Sequence, residues 1–383
     1  MRINEVRIHP ITLPFAQHFS HSQKKDMSAD NTLLEIVGQD EGFRGYGEGA
    51  PRLHVTGESQ AGAVKTAYNL VRRESFPWDL DSVSEIWKFI EGHIESRDSN
   101  SALCSVEMAL LDFLGISQSR PVMDYLPAGS YTGKVHYGAT VPLGLEERIK
   151  KVCGIIKTLG LEHVRVKLGS VFMQNERSMR LVRSSLGDGC ELRIDVNGAW
   201  DRDLAFKHLN LLSEYRVRVV EQPLMPGNKD LGEFAEKLRA RGINLVADES
   251  ACTIKDVEEI IDQGFFNMVN VRLSKCGGFN QSLKIIDLLR NSGLSFQIGC
   301  QLGESGVLSA AGRALCLVSS DAAYFDGSYD SFLLKENITT EDVTFGPGGE
   351  AGPLGGYGLG IKVDLSKLER LSREFERIII RRP

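Results

Sequence analysis

Hydrophobic and polar residues alternate along the first fifty positions in the way that is typical of β-strands. Residues 2–13 (RINEVRIHPITL) show this period of two, and a second run shows it around a Gly-rich hairpin centred on Asp40–Gly42. The polar stretch His18–Asn31 has no periodicity, which predicts a loop. In residues 57–120 the apolar positions instead recur every three or four residues, which predicts helices. Strands followed by helices predict an α+β capping domain over residues 1–125.

The pattern changes at Lys134, where short apolar runs begin to alternate with amphipathic helical stretches. HVRVKLG, ELRIDVN and VRVVEQP are three such runs, and helical spacing separates each from the next. Eight strands of this kind predict an α/β protein with a modified (β/α)8 barrel of the TIM type over residues 133–330. An open doubly wound sheet is the alternative, but no G-x-G-x-x-G motif follows the first strand. We expect residues 331–383 to return to the capping domain.

Composition narrows the kinds of partner that the protein binds. The 383 residues carry a formal net charge of −6, which argues against nucleic acid. The seven cysteines are scattered without a C-x-x-C pair, so we expect no zinc site or disulfide framework, and a reducing compartment. The sequence shows neither a signal-peptide pattern nor an apolar run of about 18 residues, the length that a membrane span needs. We therefore expect a cytoplasmic protein that binds a small molecule and no membrane.

Acidic residues end three successive strands of the predicted barrel. Asp195, Glu221 and Asp248 follow one another at intervals of 26 and 27 residues, and Lys167 ends a strand 28 residues before Asp195. Each interval is about one βα unit, so these side chains should lie at one height at the carboxyl end of the barrel, where barrel enzymes hold their active sites. Three facing carboxylates repel one another unless a cation joins them, and oxygen ligands favour Mg²⁺, with Mn²⁺ as an alternative. Taken singly, Asp195 would form a turn, Glu221 would pair with an arginine and Asp248 would cap a helix.

Lys167 is the candidate base. Residues two apart in a strand share a face, so Arg165 and Lys167 both point into the barrel. A lysine beside a bound dication, partly removed from water, has a lowered pKa and can accept a proton near neutral pH. A structural salt bridge to a neighbouring carboxylate is the alternative role for Lys167.

The motifs around these residues resemble those of the enolase superfamily, within it the mandelate racemase and muconate-lactonizing subgroup that includes cycloisomerases, dipeptide epimerases and o-succinylbenzoate synthases. The similarity covers nearly the whole chain and rests on GYGEGAPR, VTGES, RVK, DVNGAW, EQP, ADES and RLSKCGG. It implies the cap-and-barrel fold, with Asp195, Glu221 and Asp248 as ligands of Mg²⁺. It also implies that a lysine or histidine base removes a proton α to a carboxylate to give an enediolate.

The chain departs from the subgroup at two lysine positions. The subgroup carries K-x-K on the second barrel strand, where this chain has Arg165 and Lys167, and K-x-x-K-x-G-G on the sixth, where it has Arg272 and Lys275. Arginine stays protonated, so Arg165 and Arg272 should stabilise charge or clamp a carboxylate rather than transfer a proton. Lys275 is the remaining catalytic candidate, although three residues beyond Arg272 it has the wrong parity to face the substrate.

Candidate substrate contacts follow the seventh and eighth strands. Gln301 lies in GCQLGES, where the subgroup lines its pocket, and Glu304 in the same stretch should orient the loop. Dipeptide epimerases of the subgroup carry D-x-D before a glycine on the eighth strand to hold the substrate ammonium. Here the stretch reads YFDG, so Tyr324 and Asp326 are the candidates and one of the two acids is missing.

A chain with one lysine facing the substrate favours one-base chemistry, a cycloisomerisation or a syn-elimination in which Lys167 handles the proton. This predicts an isomerase, or alternatively a lyase, that acts on a small carboxylate. A dipeptide or N-acyl amino acid epimerase, with Lys275 or a water serving the second face, is one alternative, and a non-catalytic dicarboxylate binder is another. We also expect a homo-oligomer and a lid, carrying His18 and His21, that closes over the barrel mouth.

Overall fold

The computed structural model describes residues 1–20, 25–39, 42–127, 129–372 and 377–383, with the backbone alone for residues 17–20 and 25–26. An antiparallel sheet with its helices forms the N-terminal part, and an eight-stranded parallel sheet with its helices forms the rest. This is the α/β architecture that the sequence predicts. The proposed domain boundaries remain predictions.

Four strands build the N-terminal sheet, in the order β14-β1-β2-β3. They are β1 Ile3–Ser20, β2 Lys25–Gly38, β3 Arg44–Gly49 and β14 Ile378–Arg381. β14 lies antiparallel to β1, with Val6 opposite Ile380, so the end of the chain returns to the capping domain as expected. The predicted loop at His18–Asn31 is wrong at residues 18–20 and from Lys25 onward, because these residues lie in the paired strands β1 and β2, and backbone pairing does not require apolar alternation. Residues 21–24, and positions 40 and 41 at the predicted hairpin, lie outside the described residues.

The helices α1 Gln60–Val71 and α3 Asn100–Ser117 pack on this sheet, and α2 Val83–Glu91 packs against α3. The sheet and α3 approach very closely because β3 carries glycine at alternate positions. A Cβ at Gly47 would lie 2.1 Å from the carbonyl oxygen of Ser105, and one at Gly49 would lie 2.2 Å from that of Ser101. These glycines are therefore required for the contact, and they seat α3 between the sheet and the barrel.

Eight parallel strands form the barrel sheet, each paired with its neighbours in chain order. They are β5 Ala139–Val141, β6 His163–Lys167, β7 Glu191–Asp195, β8 Val217–Glu221, β9 Asn244–Ala247, β10 Met268–Val271, β11 Ser295–Ile298 and β12 Tyr324–Phe325. The backbone N–H of Gly138 donates to the carbonyl of Phe325 at 2.8 Å, which links the first strand to the last. The first apolar run after Lys134, VHYGATV, does not form one strand, because β4 (Val135–His136) pairs with β13 (Glu350–Ala351) and only β5 joins the barrel.

Helices connect the barrel strands and follow the last one. They are α4 Glu146–Leu159, α5 Phe172–Leu186, α6 Arg202–Glu214, α7 Leu231–Arg239, α8 Ile254–Gln263, α9 Leu273–Cys276, α10 Phe279–Asn291, α11 Gly306–Val318, α12 Asp330–Leu333 and α13 Leu365–Leu371. Local sequence sets their ends: Thr253 and Asp256 form a capping box at the start of α8, and Gly264 ends it in a left-handed conformation. No helix within the described ranges is long and apolar enough to cross a membrane.

The strand register places the charged strand ends side by side. Lys167 pairs with Asp195, and Asp195 pairs with Glu221, so the three stand at one height. Val164 and Val166 are fully buried on the other face of β6. The inward face of β6 is therefore left to Arg165 and Lys167, as the sequence predicts.

Candidate active site

Glu221 lies at the centre of a charged cluster at the carboxyl end of the barrel. Its Oε1 accepts a hydrogen bond from Asn270 Nδ2 at 2.8 Å, and its Oε2 accepts one from Gln297 Nε2 at 2.9 Å. Arg165 Nη1 lies 3.1 Å from Oε2, and Arg272 Nη2 lies 3.5 Å from Oε1. Burial alone would raise the pKa of this carboxyl, but the charges of Arg165 and Arg272 lower it overall, so Glu221 is ionised.

Lys167 and Asp195 form the second part of the cluster. Lys167 Nζ donates to Asp195 Oδ2 at 2.5 Å and to Asn197 Oδ1 at 2.8 Å, and Asn197 Nδ2 donates to Glu249 Oε1 at 2.9 Å. Burial and the charge of Glu221 raise the pKa of Asp195, and the charge of Lys167 opposes them. The side chain of Lys167 is 15% exposed, whereas that of Asp195 is fully buried. The amine is thus the accessible member of this ion pair.

Asp248 is held from two sides. Arg272 Nη2 makes a close contact with its Oδ2, and Lys275 Nζ lies 3.2 Å from its Oδ1. Lys275 Nζ also donates to the carbonyls of Asp248 at 2.8 Å and Asn270 at 2.5 Å. The three N–H bonds of a protonated Lys275 therefore all meet protein oxygens, and the side chain is fully buried. Lys275 braces a predicted metal ligand from below and does not line the cavity described next.

A cavity of about 580 Å³ lies over the cluster. Its charged and polar floor includes Arg165, Lys167, Asn197, Glu249, Arg272 and Gln301, and its apolar wall includes Phe15, Val55, Pro142, Val152, Ile155, Ile156, Phe332, Leu333 and Phe345. Gln301 Oε1 accepts from Arg272 Nη1 at 2.9 Å, and the backbone N–H of Gln301 donates to Glu304 in a close contact that fixes the loop. A cavity of this size and lining suits a small carboxylate that carries an apolar group.

The donor set at the strand ends fits a divalent cation. Asp195 and Glu221 offer oxygen ligands on neighbouring strands, and nearby Glu249 Oε2 is a buried acceptor without a hydrogen-bond partner among the described residues. No three acidic, histidine or cysteine side chains in the described part of the chain already surround one point as metal ligands. Cationic side chains lie against the carboxylates instead, with Arg272 on Asp248. Arg272 therefore occupies an oxygen of the third predicted ligand.

The two candidates on the eighth strand lie below the cavity and do not line it. Asp326 forms a two-point ion pair with Arg193, at 2.7 and 3.1 Å, and Arg165 Nη1 lies 3.3 Å from its Oδ2. The hydroxyl of Tyr324 contacts Glu191, the first residue of β7, at the amino end of the barrel. The carboxylate of Asp326 is therefore paired with two arginines, and the hydroxyl of Tyr324 is directed to the amino end of the barrel, away from the cavity.

Two residues of the site were not singled out from the sequence. Asn197 lies two positions after Asp195, and Glu249 directly follows Asp248, so adjacency to a predicted ligand was the available signal. Together they connect Lys167 to the β9 end of the cluster. The side chain of His18 and the whole of His21 lie outside the described residues, so the lid remains a prediction.

A family profile described as "Enolase C-terminal domain-like" matches residues 147–367, more than half of the chain. The chain belongs to the enolase superfamily. This confirms the family resemblance. Solved structures with this fold include muconate lactonizing enzymes, at 20% identity.

Other similar proteins in the enolase superfamily are epimerases and racemases. The hydrophobic dipeptide epimerase of Enterococcus faecalis is 28% identical over 361 residues, covering 92% of this chain and 96% of the relative. The structure of a dipeptide epimerase from Enterococcus faecalis complexed with Mg and L-Leu-L-Tyr has a TM-score of 0.83 at 26% identity, covering 94% of this chain and all of that one. The N-succinyl Arg/Lys racemase of Bacillus cereus has a TM-score of 0.87 at 22% identity over the full length of both chains, which shows a shared fold. As a member of this superfamily with such relatives, the chain is an enzyme of the isomerase and lyase type.

Proposed function

We propose that the protein is a Mg²⁺-dependent epimerase or racemase that removes and returns the proton α to the carboxylate of an N-acyl amino acid or a dipeptide. The observation that carries the proposal is the position of Lys167, whose amine stands on the cavity floor against Asp195. The names of the relatives support this reading over the one-base reaction that the sequence favours.

The residues of the site have separate roles in the proposed reaction. Lys167 exchanges the proton with the α-carbon, and Asp195 and Asn197 hold its amine in place. A divalent cation held by Asp195, Glu221 and Asp248 would supply positive charge to the substrate carboxylate as the α-proton leaves. Arg165 stabilises the negative charge of Glu221 from the side facing β6.

The apolar wall of the cavity and the pairing of Asp326 indicate the class of substrate. Its wall of aliphatic and aromatic side chains favours an apolar substrate side chain. Asp326, the candidate partner of a substrate ammonium, is paired with Arg193 and Arg165 below the cavity. An N-acyl group carries no charge on nitrogen and needs no such partner, so the pairing of Asp326 favours an N-acyl amino acid over a dipeptide with a free amino group.

A one-base cycloisomerisation or syn-elimination is the second candidate, and Arg272 favours it. Arginine has a pKa of about 12.5 or higher, so it does not serve as a base from the second face at neutral pH. Lys275, the alternative second base, has its amine enclosed by the carbonyls of Asp248 and Asn270. In the epimerase reading, a water therefore delivers the second proton.

Proton exchange in D₂O tests these readings. The enzyme with Mg²⁺ is incubated with each enantiomer of N-acetyl- and N-succinylphenylalanine and with Leu-Tyr dipeptides, and the α-proton is followed by NMR and the configuration by chiral chromatography. Exchange with inversion supports the epimerase. Exchange of one enantiomer without inversion supports one-base chemistry. Tight binding of these carboxylates with no exchange of any of them would point to the non-catalytic binder and sink both enzyme readings.

A further inference from the structure

Arg272 connects the predicted ion ligands to the substrate cavity. It follows β10 directly, and its side chain is 8% exposed. One end of its guanidinium contacts Asp248 Oδ2 and lies 3.5 Å from Glu221 Oε1, whereas Nη1 donates to Gln301 Oε1 at 2.9 Å. The planar fork thus reaches two of the three predicted ligands and a cavity-lining amide at once.

The guanidinium and a divalent cation compete for the same oxygens. Mg²⁺ holds its oxygen ligands at about 2.1 Å, which leaves no room for an N–H donor on the same lone pairs. Like charges at this distance in a buried site also repel strongly. An ion that takes Asp248 and Glu221 must therefore displace Arg272 from both.

Buried donors on Gln301 and Arg272 could bind a substrate carboxylate once Arg272 is displaced from the ion ligands. Gln301 Nε2 and Arg272 Nε are buried donors without hydrogen-bond partners among the described residues, and both side chains line the cavity. A buried donor without an acceptor is unfavourable, so each favours a ligand that brings oxygen atoms. A substrate carboxylate brings two.

We propose that Arg272 is an internal counter-cation of the ion site. Arg272 holds Asp248 and Glu221 until a divalent cation displaces it, and it then rotates about its contact with Gln301 to bind the substrate carboxylate. The proposal rests on the ion site of the proposed function and adds a coupling to it. The carboxylate draws Arg272 away from the ion ligands, and the ion frees Arg272 for the carboxylate. Each ligand therefore raises the affinity for the other by the same factor.

The test measures Mn²⁺ binding to the metal-free full-length protein by electron paramagnetic resonance, with and without 3-phenylpropionate as the probe carboxylate. Arg272→Met, which removes the competing charge, should bind Mn²⁺ alone at least tenfold more tightly than the wild type. Its Mn²⁺ affinity should also respond to 3-phenylpropionate several-fold less. Arg193→Met is the charge-matched control: Arg193 is also buried in the barrel but contacts Gln297 and Asp326 and none of the predicted ion ligands, so its loss should raise Mn²⁺ affinity much less than the loss of Arg272.

The outcomes separate this proposal from the proposed function. Equal or weaker Mn²⁺ binding by Arg272→Met, with the wild type binding Mn²⁺, overturns the counter-cation role and leaves the ion site standing. An equal gain in Arg193→Met also overturns it, because general electrostatics would then explain the effect. Failure of every variant and of the wild type to bind Mn²⁺ overturns the ion site as well. If Arg272→Met does not fold, Arg272→Lys keeps the charge but cannot reach Asp248 and Gln301 together, and unchanged coupling to 3-phenylpropionate in it overturns the proposal.

Discussion

Two groups of buried carboxylates behave differently in this protein. The mouth carboxylates (Asp195, Glu221 and Asp248) end barrel strands and contact lysine and arginine side chains. The junction carboxylates (Glu48 and Glu107) lie where the capping domain meets the barrel and accept hydrogen bonds from backbone N–H groups. All five are 0–1% exposed, so burial does not distinguish the groups. Their partners do.

The junction carboxylates hold barrel helices against the capping domain. Glu48 on β3 accepts from the N–H groups of Ser305 and Leu308 at 3.0 Å, at the start of α11. Glu107 on α3 accepts from the N–H of Asn280 at 3.0 Å, at the start of α10. The first N–H groups of a helix have no acceptor within the helix, so each carboxylate satisfies donors that would otherwise be orphaned at the domain boundary.

The comparison shows that buried carboxylates can have exchangeable partners at one site and fixed partners at another. A side-chain cation is able to move off a carboxylate when an ion or a substrate takes its place, as we propose for Arg272. The N–H groups at the start of α10 are part of the backbone, so they stay beside Glu107 for as long as the helix end stays folded. Under this proposal, the mouth carboxylates change partners during the reaction cycle, whereas the junction carboxylates keep theirs.

The largest expected effect comes from removing the amine at the barrel mouth. Lys167→Ala should lower α-proton exchange and turnover together by about 10³-fold, in the range for loss of a general base. The measurement is NMR of the substrate in D₂O. Lys275→Met removes the other candidate amine, whose hydrogen bonds all go to protein oxygens, and should mainly lower the melting temperature. Loss of exchange for only one enantiomer in Lys275→Met would show that Lys275 is a second base.

Charge at the mouth should matter more for ion binding than charge at the junction. Glu221→Gln should weaken Mg²⁺ binding by about 100-fold in calorimetry, because the change removes an anionic ligand and places an amide against the Asn270 and Gln297 donors. Glu107→Gln replaces an equally buried carboxyl group at the junction and should leave Mg²⁺ affinity within about twofold. Unchanged Mg²⁺ affinity in Glu221→Gln, together with activity that resists EDTA, would exclude Glu221 as a ligand.

The positions of the mouth carboxylates were easier to predict from the sequence than the roles of the junction carboxylates, for a physical reason. Strand-end spacing was enough to bring Lys167, Asp195 and Glu221 to one height, because parallel strands in register repeat their geometry. Spacing does not reveal partners that come from distant strands. The pairing of Asp326 with Arg193 spans 133 positions and had no local signal.

The roles of the junction carboxylates could not be predicted from the sequence because their partners are close in space but distant along the chain. Glu48 lies in GYGEG, a stretch that reads as a hairpin strand, and its partners at Ser305 and Leu308 lie 257 and 260 positions away. Glu107 sits within an apolar helix, where only the docking of α10 explains a carboxylate. The docking of the capping domain on the barrel determines these roles, and no periodicity in the sequence indicates it.

The smallest expected effect tests whether the junction carboxylates differ from the mouth in charge state. Burial raises the pKa of Glu107 to about 8 from an ordinary value of 4.5, against the lowering effect of its backbone donors. A group whose pKa is higher in the folded state stabilises the fold fully below its unfolded pKa, and this stabilisation is lost as the pH rises through 8. The wild type should therefore lose about 2 kcal/mol of unfolding free energy relative to Glu107→Gln between pH 6 and pH 7.5, measured by urea denaturation at several pH values. Glu91→Gln is the control: Lys284 lowers the pKa of Glu91, so that carboxylate stays ionised throughout this range and its replacement should give no such slope. A flat difference between the wild type and Glu107→Gln would mean that Glu107 is ionised like Glu221, and the contrast between the two groups would then rest on geometry alone.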